Sequence, residues 1–96
     1  MTKSDIIQFL QTHKKELNEK YGLVKIGLFG SYAKDCFSDE SDIDIYVEFK
    51  EKKFRYIAGA WNYLEENLGK KVDLFYPHKN MRQALKDSIE KEIIYG

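Results

Sequence analysis

Asp42, Asp44 and Asp73 are the residues of this 96-residue chain best suited to chemistry. Asp42 and Asp44 open a strictly alternating run that reaches Phe49. Asp42, Asp44, Tyr46 and Glu48 fall on one face, and Ile43, Ile45, Val47 and Phe49 on the other. Residues two apart on a strand lie about 6.5 Å apart at Cα with parallel side chains, so these two carboxylates can converge on metal ions held between them. Asp is depleted in strands, which makes a pair at the start of one unusual. The third, Asp73, interrupts the apolar run Lys71 to Tyr76. Burying it unpaired would be costly, so it should point to the polar face that carries the other two. Three carboxylates facing one way suit Mg²⁺, a hard cation that takes a few carboxylates plus substrate phosphates. A pair of such ions roughly 3.5–4 Å apart can stabilise both the attacking and the leaving oxygen of an in-line displacement at phosphorus.

The elements that must hold these residues can be read in order. Ile6, Leu10, His13 and Leu17 form an amphipathic stripe, giving a helix from Ser4, its N-cap, to about Tyr21, stopped by Gly22. Val24 to Phe29 reads as a buried strand ending in the Gly30-Ser31 turn, and ten residues then separate Ser31 from Asp42. Within that spacer Tyr32 to Cys36 suits a short helix, with Ser31 at an N-terminus that favours anions. Phe54, Ile57, Trp61, Leu64 and Leu68 give a core-facing helix ended by Gly69. After Pro77, Asn80 as N-cap with Gln83, then Met81, Leu85, Ile89 and Ile93, mark a last helix, and the terminal Ile-Ile-Tyr-Gly can pair with a strand. The expected fold is α+β in two layers: a small mixed sheet of three to four strands flanked by about four helices, as a single domain over residues 1–96.

Other residues that invite a functional reading have plainer ones. His13 lacks a second ligand at helical spacing and reads as a boundary core residue. Trp61, Tyr56 and Tyr63 read as packing rather than a base-stacking platform. Asp39 and Glu40 read as a solvated acidic loop, and His78 as a loop residue. The glycines form neither a dinucleotide fingerprint nor a P-loop.

Bulk properties set the limits. Sixteen basic and sixteen acidic residues cancel, so no global field draws the chain to nucleic acid or an anionic membrane. Cys36 is the only cysteine, and no apolar run approaches the roughly 20 residues of a membrane span. A cytoplasmic protein without intramolecular disulfides is expected. One domain of this size holds no separate acceptor-binding domain, so an acceptor substrate must be presented by another molecule.

With these residues laid out, the chain resembles the minimal nucleotidyltransferases of the DNA polymerase β superfamily, in particular the antitoxins of HEPN/MNT toxin–antitoxin pairs. Gly30-Ser31, the ten-residue spacer, Ser41, Asp42-x-Asp44 and the later Asp73 carry the resemblance over almost the whole chain. It implies that Asp42 and Asp44 bind two Mg²⁺ ions and a nucleoside triphosphate, and that Asp73 ligates the catalytic metal and helps deprotonate the acceptor hydroxyl. Gly30 and Ser31 would hold the β- and γ-phosphates. Where the family commonly has Arg-Gly after Ala33, this chain has Lys34 and Asp35. Lys34 keeps the positive charge without a bidentate fork. The implied activity is transfer of AMP from ATP to a protein hydroxyl, a tyrosine of a cognate HEPN-domain RNase toxin, within a hetero-oligomer that involves neither membrane nor direct nucleic-acid contact. Two alternatives are an antitoxin acting by direct binding to the toxin, and a free-standing transferase for small molecules.

Overall fold

The N-terminal helix α1 spans Lys3–Tyr21 and begins with a reciprocal cap. Thr2, rather than Ser4, is the N-cap: its side chain accepts from the Asp5 N–H, and the Asp5 carboxylate accepts from the Thr2 N–H at 2.9 Å. At the other end Gly22 adopts the left-handed conformation, with φ of 69°. Ile6, Leu10 and Leu17 form its buried stripe. His13 donates its Nδ1–H to the Phe9 carbonyl, 2.9 Å away, and stacks on the Phe9 ring, which fits a structural role.

The computed structural model describes residues 2–34, 36, 38, 40–77 and 82–96. Among them, strands β1 (Leu23–Phe29), β2 (Ile43–Phe49), β3 (Val72–Phe75) and β4 (Ile94–Tyr95) form one sheet in the order β3-β2-β1-β4. β1 is antiparallel to both β2 and β4, whereas β2 and β3 run parallel. A parallel pair needs a crossover, and helix α2 (Phe54–Leu68) supplies it. Helix α3 (Gln83–Glu92) precedes β4.

Alternation along the strands divides the sheet into two faces. Ile26 and Leu28 of β1, Ile43, Ile45 and Val47 of β2, and Val72 and Leu74 of β3 are buried in one cluster with the stripes of α1 and α2. The opposite, outer face carries Gly27 and Phe29, then Asp44, Tyr46 and Glu48, then Asp73 and Phe75. Gly27 has a steric reason to be glycine, since a Cβ there would come within 2.6 Å of Ile93, which packs on this face at the end of α3.

Several sequence expectations need correction. Three helices are present among the described residues, because Ser31–Lys34 forms a turn and not a short helix. Phe54 and Trp61 do not face the core. Phe54 is 84% exposed and Trp61 37%, while Ala60 takes the place of Trp61 in the buried stripe of Ile57, Leu64 and Leu68. Val24 is likewise exposed, next to a register shift between Leu23 and Lys25. Ile93 ends α3 in extended conformation. The last residues do pair with β1, as Gly27↔Tyr95 and Leu28↔Ile94. The expected cap Asn80, with Met81, His78, Asp35 and Asp39, lies outside the described residues.

Candidate active site

The sheet register places two carboxylates side by side. Asp44 on β2 pairs directly with Asp73 on β3, and neighbouring strands are about 4.8 Å apart. Asp42 lies just before β2, two residues from Asp44. All three side chains are half-buried. Among the described residues, none of the three has a hydrogen bond or an ion pair. Burial, then the negative charges of Asp73 and Asp42, push the Asp44 carboxyl up to about 6.

Gly30 closes the site on the β1 side. It follows Phe29, the cross-strand partner of Asp44, and turns the chain with φ of 76°. A Cβ at this position would overlap the Asp44 carboxylate, with Cγ only 2.9 Å away. Both the backbone angle and the close approach call for glycine here. The following turn is held by the Lys34 N–H donating to the Gly30 carbonyl at 3.1 Å and the Cys36 N–H to the Ser31 carbonyl at 2.9 Å. Buried Tyr32 and Ala33 anchor it to the core. Ser31 is half-buried beside them. With one turn in place of a helix, the expected dipole contribution is absent, and any anion held there must be held by local groups.

Lys34 is already engaged. Its ammonium lies 2.7 Å from the Glu92 carboxylate at the end of α3, and that bond holds the lysine above its ordinary value. Glu92 was not singled out in the sequence and offers no signal there, being one of many charges on an amphipathic helix.

Two aromatic rings complete the surroundings. Phe29 and Phe75 come from the strands on either side of β2, yet their centroids are 4.9 Å apart at 70°, so the rings meet over β2 beside Asp44. Alternation could have found them, because Phe29 immediately precedes Gly30 and Phe75 lies two residues beyond Asp73 on the same face. Farther along this face is a cavity of about 270 Å³ bounded by Tyr46, Glu48, Ile89, Glu90 and Tyr95. There Tyr46 donates to Glu48 at 2.9 Å and Lys25 lies 3.9 Å from the same carboxylate.

The three aspartates fit a hard divalent cation by donor type and by charge, since they offer oxygen alone and repel one another. Among the described residues, no group of three or more His, Cys, Asp or Glu is arranged so that together they could hold a metal ion. Mg²⁺ itself needs only one or two carboxylates beside water and substrate phosphates.

Comparison with known proteins follows the same lines. Residues 10–95 match the family described as the nucleotidyltransferase domain. A relative from Methanocaldococcus jannaschii, named provisionally as a protein adenylyltransferase, is 44% identical over 97 residues, covering 98% of this chain and 97% of the relative. The protein adenylyltransferase MntA of Thermococcus cleftensis is 38% identical, with 98% and 91% covered. A solved structure described provisionally as a minimal nucleotidyltransferase superposes with a TM-score of 0.79 at 25% identity, covering 98% of this chain and 95% of that one. The fold is also shared, at a TM-score of 0.62 and 22% identity, with a structure of a tri-AMPylated HEPN toxin from Shewanella oneidensis in complex with its MNT antitoxin, covering 92% and 69%.

Proposed function

Because this chain belongs to the nucleotidyltransferase domain family, we propose that it is the antitoxin of a toxin–antitoxin pair and transfers AMP from ATP to a hydroxyl of its partner, a tyrosine of a HEPN-domain RNase toxin. The observation that carries this reading is the register pairing of Asp44 with Asp73 beside Asp42, a cluster of negative charge with no protein cation among the described residues. The names of the adenylyltransferase relatives support AMP as the group transferred. The modified HEPN toxin in the Shewanella oneidensis complex supports the acceptor class.

In this reading the single domain of residues 1–96 carries the metal and nucleotide half of the active site, and the partner brings the acceptor. Asp42 and Asp44 would hold two Mg²⁺ ions with the triphosphate, and Asp73 would share one of them. The ions would neutralise charge developing on the attacking and leaving oxygens. The acceptor oxygen bonds to the α-phosphorus as the bond from that phosphorus to the bridging oxygen breaks, and pyrophosphate leaves. Asp73 takes the hydroxyl proton. Gly30 and Ser31 line the approach of the β- and γ-phosphates, and Phe29 and Phe75 keep water from one side of Asp44.

Lys34 can contribute to phosphate binding only by leaving Glu92. Glu92→Gln should therefore lower the KM for ATP, and an unchanged KM would remove Lys34 from the site. The whole reading is tested by incubating the protein with labelled ATP, Mg²⁺ and the product of the neighbouring gene. The label should appear on that product. Labelling that survives in the Asp42→Ala, Asp44→Ala double variant would overturn the assignment, and protection from the toxin by an unlabelling double variant would favour direct binding.

A further inference from the structure

Asp73 stands on the least supported strand of the sheet. β3 has four residues, pairs among the described residues only with β2, and is the outer strand at the edge of their sheet. In a parallel ladder, alternate residues turn their N–H and C=O groups toward the neighbouring strand. The Ile43 N–H donates to the Lys71 carbonyl at 3.0 Å, so Lys71 and Asp73 face β2, and Val72 turns its backbone groups outward. An outer edge of this kind leaves a donor and an acceptor unmatched.

At Val72 both are matched by side chains of α2. The Trp61 indole N–H donates to the Val72 carbonyl at 2.7 Å, and the Glu65 carboxylate accepts from the Val72 N–H at 2.9 Å. Trp61 and Glu65 are four residues apart, one above the other on the same side of the helix. Together they occupy the place of an absent strand, and they grip the residue immediately before Asp73. This also gives a reason for a tryptophan that is 37% exposed and outside the buried stripe of its helix.

We propose that Trp61 and Glu65 are positioning residues for Asp73: by clamping both backbone groups of Val72 they fix the height and rotation of the third carboxylate against Asp44. The proposal rests on the reading of Asp73 as a metal ligand and proton acceptor. Neither residue touches the reacting groups, and their effect passes through one peptide unit. Partners that orient a metal ligand typically matter by about 10–100-fold in affinity or activity.

The full chain serves for the test. Trp61→Phe keeps an aromatic ring and removes the N–H, Glu65→Leu removes the acceptor, and Glu65→Gln keeps an acceptor oxygen. In steady-state AMP transfer, W61F and E65L should each lower kcat about tenfold or more while KM for ATP stays within about twofold, and E65Q should retain near wild-type kcat. A second readout does not need catalysis: Mn²⁺ titration followed by paramagnetic broadening of the Asp73 amide resonance, with a midpoint raised about tenfold in W61F and E65L. Absence of transfer by the wild type, with this Mn²⁺ pattern intact, would defeat the proposed function and leave the positioning role standing. Wild-type kcat and wild-type Mn²⁺ midpoints in W61F and E65L would overturn the positioning role. So would a loss that vanishes once rates are normalised to the folded fraction, an E65Q defect equal to that of E65L, or no Mn²⁺ effect at Asp73 in the wild type.

Discussion

At one end of the outer sheet face, Glu48 accepts from Tyr46 at 2.9 Å and has Lys25 within 3.9 Å. At the other end, Asp42, Asp44 and Asp73 stand together with no such partner among the described residues, and Asp44 is raised to about 6 by burial and its neighbours. Both ends belong largely to one strand, β2, and to one side of its alternation. The first end is electrostatically complete: its tyrosine hydroxyl is held above the ordinary value by burial and by the bond to Glu48. The second end carries negative charge that no described side chain offsets. It is this uncompensated charge that the proposed function assigns to the active site.

That contrast predicts unequal consequences for equal chemistry. Asp44→Asn and Glu48→Gln each remove one negative charge from β2. We expect the first to lower AMP transfer by about a thousandfold, on the order seen when a group that stabilises transition-state charge is lost, and the second to leave transfer within about threefold, as expected away from the reacting atoms. Steady-state rates with the proposed toxin partner decide it, and comparable losses would erase the distinction between the two ends.

Gly30→Ala comes next in size. A left-handed backbone disfavours a Cβ by about 1–2 kcal/mol, and here that Cβ would also displace the Asp44 carboxylate. Thermal unfolding should show a lower Tm, and transfer should fall by more than the lost folded fraction. Gly69→Ala has the same backbone strain, with φ of 67°, but nothing within 4 Å of the new Cβ. It should lose stability alone.

The smallest effect concerns pH. The folded state holds Asp44 near 6 against an ordinary value of 3.8, so the folded state binds the proton more tightly than the unfolded one. Stability of the metal-free protein should therefore decline as pH rises from about 4 to about 6, with the full penalty present above that. Asp44→Asn removes the penalty: its Tm should exceed that of the wild type at pH 8 and converge with it at pH 3.5. Equal differences at both pH values would mean that the carboxylate is not destabilised by its surroundings.

The chain's own alphabet accounts for part of this. The alternation from Ile43 to Phe49 was legible because one face is apolar and the other charged, and the bounds of α2 were legible from helical spacing and Gly69, although Phe54 and Trp61 of the expected stripe face outward. Asp73 was legible as a misfit in an apolar strand. The register Asp44↔Asp73 was not, because a parallel pairing is set by how the crossover helix seats and not by any local pattern. Ala60 was missed because a stripe of large residues passes over a small one, and Trp61 was misplaced because its value lies in a hydrogen bond instead of buried area. The Lys34–Glu92 pair joins a turn to a helix far along the chain, a contact that charge counting cannot see.

In the proposed function, a metal-bound nucleotide completes the aspartate end of the face. Calorimetric titration of the wild-type chain with a non-hydrolysable ATP analogue, with Mg²⁺ and then with excess chelator, tests it most directly. Binding should require the divalent ion and be lost in the Asp42→Asn, Asp44→Asn double variant; equal affinity in chelator, or in that variant, would rule out a metal-bound nucleotide at the aspartates.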